Sequence, residues 1–193
     1  MTIPRMTGNA EVKEWMRKHL MIVSLALSAL AGCKQQQAAG LILIQPEKNA
    51  AAAGEIGSRM PDFTLKDLDG HEISSADLRG KVVLIDFWAT WCKPCEKEMP
   101  GYQKLMERYG SRGFAVIGLK LATMTDSQDP RVFARKIGVR YPLAVATDDL
   151  KSKFGGIEAL PTAVIYDRQS FLRAKVIGFE YEEVIEATIK PLL

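Results

Sequence analysis

The chain has 193 residues, 47% of them hydrophobic and 25% charged, with a formal net charge of +3. That composition is ordinary for one folded domain with an extension, and is neither collagen-like nor dominated by one sign of charge. No basic run interleaved with aromatics occurs in the body, so a nucleic-acid-binding role has no support.

Near the N-terminus, Arg17-Lys18-His19 precedes an apolar run from Leu20 to Ala31 that ends in small residues, the pattern of a secretion signal. Twelve residues are too few to span a bilayer core of about 30 Å at helical rise. The run closes with Leu30-Ala31-Gly32-Cys33, which resembles the bacterial lipoprotein signal. The resemblance implies cleavage before Cys33, lipid attachment to it, and an extracytoplasmic, membrane-anchored mature protein. Met16-Arg17-Lys18 would open a signal of normal length, so Met16 is a candidate true start. Residues 1–33 are therefore read as signal and 34–55 as a flexible tether, in which Gln35-Gln36-Gln37-Ala38-Ala39-Gly40 is polar and of low complexity.

From about Ile56 the chain reads as a folded domain to Leu193. Pro61 to Leu65 is extended, and Asp69-Gly70 is a turn dipeptide before His71-Glu72-Ile73, which predicts a hairpin. Val82 to Trp88 is an apolar, β-branched run expected to form a buried strand. Residues after Pro94 carry helical spacing through Met99, Leu105 and Met106 to Tyr109, with Gly110 expected to close the helix. Phe114 to Leu119 is a second buried strand, and the strand, helix, strand order predicts a parallel βαβ unit. Pro130 to Ile137, with Asp129 as cap and Gly138 as stop, reads as a helix. A short strand over Leu143 to Ala146 and a helical turn over Leu150 to Phe154 come next. Leu160 to Asp167 is a strand with Pro161 near its start, and Arg173 to Gly178 an edge strand. Glu182 to Lys190 closes the chain as an amphipathic helix with Val184, Ile185 and Ile189 expected on one face.

Between the first buried strand and the long helix lies Trp91-Cys92-Lys93-Pro94-Cys95. Two cysteines at this spacing form a reversible dithiol/disulfide switch. Cys92 falls at the helix start, where unpaired amides and the positive end of the dipole favour a thiolate. Lowering a cysteine pKa from about 8.5 to about 7 makes it roughly half ionised at neutral pH. Lys93 adds a cation, and Pro94 sits in the first turn, where its missing amide hydrogen is not needed. Cys92 is then the attacking thiol and Cys95, further in, the resolving one. A zinc site would need four ligands, and Cys33, His19 and His71 are not suitably spaced to complete one. No metal is expected. A purely structural disulfide would close a tiny loop and gain little.

The run Val83-Leu84-Ile85-Asp86-Phe87-Trp88-Ala89-Thr90-Trp91-Cys92-Lys93-Pro94-Cys95-Glu96-Lys97-Glu98-Met99-Pro100 resembles the thioredoxin fold, and specifically the TlpA/ResA-like group of membrane-tethered extracytoplasmic oxidoreductases. The downstream Leu160-Pro161-Thr162 and the N-terminal hairpin agree in order. The resemblance implies an α/β thioredoxin-like fold over residues 56–193, with a central mixed sheet flanked by helices, an N-terminal β-hairpin and a central αβ insertion around 130–147. It implies that Pro161 is cis and faces the dithiol, that Asp86 is a buried proton acceptor for Cys95, and that Glu98 is an acid beside the pair. Many tethered relatives carry Asn where this chain has Asp86. Trp91, Lys93, Pro94, Leu160 and Pro161 are implied as substrate contacts.

The function so implied is a thiol:disulfide oxidoreductase, more reducing than oxidising, that uses no cofactor beyond the Cys92–Cys95 couple. Its partners would be cysteine-containing protein substrates such as apocytochromes, and a membrane or extracytoplasmic thiol electron donor. Two other readings are a thiol peroxidase and a redox-inert tethered binding module. The peroxidase pattern needs Thr three residues before the reactive Cys and Pro four before that, where this chain has Ala89 and Ile85.

Overall fold

The computed structural model describes residues 53–122 and 128–193. The signal, Cys33, the candidate start at Met16 and nearly all of the tether lie outside the described residues. Among the described residues no helix is long and apolar enough to cross a membrane.

Strands β1 (Thr64–Lys66) and β2 (Glu72–Ser74) form an antiparallel hairpin in which Leu65 faces Ile73. Its turn is organised by Asp67, whose carboxylate accepts the amides of Asp69 (2.9 Å) and His71 (2.8 Å), so that Gly70 can take its left-handed φ of 89°.

The main sheet has five strands in the order β5-β4-β3-β6-β7. They are β3 (Val82–Trp88), β4 (Phe114–Leu121), β5 (Leu143–Ala146), β6 (Thr162–Tyr166) and β7 (Leu172–Ile177). β3 is parallel to β4, and β4 to β5, whereas β6 runs antiparallel to both β3 and β7, so the sheet is mixed. Every residue of β3 is buried, as expected of a central strand covered on both faces.

Its alternate side chains feed two cores. Val82, Leu84 and Trp88 pack with helix α1 (Lys93–Tyr109), helix α2 (Pro130–Lys136) and helix α4 (Glu182–Ile189). Val83, Ile85 and Phe87 pack on the other side with Phe63, Leu78, Leu150 and Phe154, the last two within and just after helix α3 (Asp148–Lys153). Phe154 anchors that second core, meeting the rings of Phe63, Phe87 and Tyr166 at centroid distances of 6.0, 5.4 and 6.3 Å.

Two expectations need correction. Gly110 is right-handed, so the long helix runs on into a 3-10 turn and Gly113, at φ 84°, takes the left-handed position instead. In α4, Ile185 and Ile189 are buried but Val184 is 40% exposed. At 100° per residue Val184 sits at the margin of the apolar stripe, and the polar edge facing α1 is filled by Glu182 and Glu186, which pair with Lys104 and Arg108.

Candidate functional site

The C-terminal end of β3 delivers the chain into Ala89-Thr90-Trp91 and then α1, and the site grows from that junction. Cys92 is the N-cap of α1, and its Sγ accepts the amide of Cys95 at 3.2 Å. The helix terminus thus directs an otherwise unused donor at the sulfur that the sequence assigns to attack. Lys93 and Pro94 occupy the first two helical positions, and both are exposed. The two sulfurs form a disulfide of 2.04 Å. Cys95 is fully buried, Cys92 retains 3% of its surface, and the neighbouring Trp91 is 54% exposed. The exposed surface around the disulfide is thus made by Trp91, Lys93 and Pro94.

Lys93 does not spend its charge on the dithiol. Its ammonium bonds Glu96 at 2.8 Å, and the other oxygen of Glu96 lies 3.7 Å from Lys136 of α2. The Lys93 and Lys136 ammonium groups hold Glu96 below its ordinary range. The expected help of Lys93 to a Cys92 thiolate is largely cancelled by a carboxylate three residues away.

Leu160–Pro161 is a cis peptide bond. Thr162, the next residue, pairs with Phe87 on β3, so Leu160 and Pro161 lie at the same end of the sheet as the dithiol. The Pro161 carbonyl accepts from Gly178 at 2.8 Å.

Beneath the disulfide is a group of buried polar side chains between β3 and α1. Asp86 is fully buried and, two residues before Trp88, lies on the sheet face that α1 covers. Glu98, on α1 one turn beyond Cys95, is buried as well, whereas its neighbour Lys97 is exposed. Tyr102 follows one turn later. Burial raises the Asp86 carboxyl from 3.8 to about 7, against the pull of a Tyr141 hydroxyl 3.4 Å from its Oδ2. Burial, with the nearby Asp86 charge, raises Glu98 to about 9, although Glu98 Oε2 accepts the Glu180 amide at 3.4 Å. Asp86 Oδ1 and Trp88 Nε1 have no hydrogen-bond partner among the described residues, while Glu98 and the Tyr102 hydroxyl interact with each other. Two acids that resist ionisation, one on the helix that carries the dithiol and one on the strand it covers, make a site able to take up and hold protons.

Sequence reasoning named Asp86 and Glu98 but missed Tyr141, Tyr102 and Gly118. Gly118 pairs with Asp86 in the β3–β4 register, and a Cβ there would stand 2.4 Å from Leu143 Cδ2, 3.0 Å from Trp88 Nε1 and 3.2 Å from Tyr141 Cε2. A lone glycine within an apolar strand is a signal for such close approach. Away from the dithiol, ligand atoms of Asp67, Asp69 and His71 lie within 4.8 Å of one another at the hairpin turn, where Asp67 bonds the His71 ring at 3.2 Å.

Residues 56–175 match the model of the AhpC/TSA family. The thiol-disulfide oxidoreductase ResA of Bacillus thuringiensis (strain Al Hakam) is 34% identical over 140 residues, covering 72% of this chain and 79% of that protein. ResA of Geobacillus kaustophilus is 35% identical over 148 residues, covering 75% and 82%. Among solved structures, a thiol:disulfide interchange protein of the thioredoxin family from Chlorobium tepidum superposes with a TM-score of 0.64 at 27% identity, over 72% of this chain and 99% of that one.

Proposed function

This chain belongs to the AhpC/TSA family and is a thiol-disulfide oxidoreductase, and on that footing we propose that it reduces disulfides in cysteine-containing client proteins outside the cytoplasm, anchored to a membrane through Cys33. The observation that carries this reading is the Cys92–Cys95 disulfide at a helix N-terminus over two buried acids.

Cys92, as thiolate, attacks one sulfur of the client disulfide. One S–S bond forms to the client and one breaks, releasing a client thiolate that takes a proton. Cys95 then gives its proton to the Asp86 carboxylate, and its thiolate attacks Cys92 Sγ. The Cys92–Cys95 bond forms, the mixed disulfide breaks, and the client leaves fully reduced with both electrons of the couple. Burial suits Asp86 to this task because a carboxylate with raised proton affinity is a stronger base. Glu98, held neutral by burial, gives the site a proton-bearing neighbour rather than a second charge. Trp91, Lys93, Pro94, Leu160 and Pro161 frame the client's approach.

Reducing rather than oxidising poise is supported by the surroundings. A stabilised thiolate makes a disulfide more oxidising, and here the neighbouring cation, Lys93, is paired with Glu96 at 2.8 Å. Clients of the apocytochrome type and a membrane-borne thiol donor fit such a reductase, since a lipid anchor would hold it beside both.

The test is reduction of insulin by the purified protein with dithiothreitol as donor, together with a glutathione redox titration. Activity that needs Cys92, with an equilibrium well on the reducing side of glutathione, is the expected result. If Cys92→Ser retained exchange activity, the mechanism would be wrong. Labelling with palmitate in a bacterial host, lost in Cys33→Ser, tests the anchor.

A further inference from the structure

Resting on the reading of Asp86 as proton acceptor, we infer that Tyr141 is the positioning residue that favours the accepting, ionised form of Asp86, and that Gly118, in the strand between them, leaves room for its ring. Asp86 sits on β3, and Tyr141 lies just ahead of β5, two strands away. β4 runs between them. Gly118 of β4 pairs with Asp86 on one side and with Leu143 on the other, and its amide donates to the Pro142 carbonyl at 2.9 Å. The Tyr141 ring passes close to Gly118, where a Cβ would stand 3.2 Å from its Cε2 and closer still to Leu143 and Trp88, and its hydroxyl arrives 3.4 Å from Asp86 Oδ2.

That is a long hydrogen bond. The disulfide state is also the one in which Asp86 has no proton to collect, and bonds to an ionised carboxylate are shorter and stronger than bonds to a neutral acid. The contact is thus built to favour the carboxylate, the form that can take the Cys95 proton. Burial and the nearby Asp86 charge push the Tyr141 hydroxyl well above its ordinary range, so it remains a donor at every working pH.

The Tyr141 hydroxyl is the hydrogen-bond partner of the Asp86 side chain, and several other groups pack around it. From α1 come Cys95, Glu98 and Tyr102, of which Glu98 is itself an acid and Tyr102 lies on the Glu98 side. From β4 comes Lys120, which pairs in register with Trp88 and donates to the Leu121 carbonyl at 3.3 Å. Glu180, from the β7–α4 connection, meets Glu98 through its amide.

The experiment mixes the reduced protein with Ellman's reagent in a stopped-flow instrument, where the first thionitrobenzoate reports attack by Cys92 and the second reports resolution by Cys95. In the wild type the second step should speed up as Asp86 ionises. Tyr141→Phe, which keeps the ring and removes only the hydroxyl, should leave the first step unchanged and move the rising limb of the second to higher pH by about half to one unit. Asp86→Asn should flatten that limb, and adding Tyr141→Phe to it should change the rate less than about twofold, because both act through one carboxyl. Carbon-13 titration of the Asp86 carboxyl, upshifted in Tyr141→Phe, reads the same effect without turnover. If Asp86→Asn flattened the limb while Tyr141→Phe kept the wild-type profile and titration, the inference would be overturned with the acceptor reading intact. If Asp86→Asn kept the wild-type limb, the acceptor reading itself would fall.

Discussion

Replacing Asp86 with Asn should make the oxidised protein more stable at pH 8 but less stable near pH 4, where little of the charge penalty applies and the cost of an unpaired amide, about 1–3 kcal/mol, dominates. The native carboxyl titrates at about 7 rather than 3.8, chiefly because burial disfavours its charge. Between those two values the folded state holds a proton that the unfolded state has released, so the Asp86 contribution to stability falls as pH rises through that window and levels off above it. The full displacement corresponds to roughly 4 kcal/mol at pH 8. Asn fills nearly the same volume without a charge, but its amide needs partners, and the site offers little beyond the Tyr141 hydroxyl at 3.4 Å. An unsatisfied buried amide costs about 1–3 kcal/mol, so the net gain at pH 8 should be about 1–3 kcal/mol. Urea denaturation of the oxidised protein, followed by the emission of buried Trp88, measures this directly, and an unchanged m-value would show that both states keep their compactness. A weaker slope should survive in the variant above pH 5, because Glu98 remains buried. Wild-type and Asp86→Asn curves that stay parallel from pH 4 to pH 8 would refute the reasoning, since they would mean that Asp86 has the same proton affinity folded and unfolded.

Glu96→Gln should release Lys93 towards the dithiol and shift the measured reduction potential to a more oxidising value, an effect that shrinks with added salt because Lys93 is exposed. Gly118→Ala places a Cβ against Leu143, Trp88 and Tyr141, and overpacking of this kind costs about 1–3 kcal/mol, readable as a lowered urea midpoint together with a changed Trp88 emission. In α4, Ile185→Ala should cost about 2–4 kcal/mol, whereas Val184→Ser should be nearly silent, and equal losses at the two positions would contradict the helix rotation seen in the structure.

The strands, the hairpin, α1 and α2 were legible because each carries a strong local signal, as in the apolar run of β3, interrupted by Asp86 alone, or the capping Asp129 and stopping Gly138 around α2. The polar interior was harder to read for a physical reason. A central strand buried on both faces has no alternation, so nothing in Val82 to Trp88 says which face Asp86 takes, and only the packing of α1 decides it. Tyr141 reads locally as a loop aromatic before a proline. Its role depends on register two strands away, and register is a property of the assembled sheet. Lys93 reads as a cation beside a thiol, yet three residues along the same helix Glu96 takes its charge, a pairing that helical spacing could have revealed.

The residues just before and within the hairpin meet both borders of the main sheet. The Gly57 and Met60 amides donate to the Leu172 and Ser170 carbonyls at the start of β7 and the turn before it, and the Ser58 carbonyl accepts the Leu172 amide, while Asp67 and Leu68 bridge to β5 through Ala144 and Leu143. A segment made early in the domain thus meets border strands that are made much later. A partly synthesised chain, or one cut before β7, would present unsealed borders to its neighbours. Proteins crowded side by side on a surface would feel that hazard most, and the long-range contacts that remove it require the whole domain to be present before folding can finish.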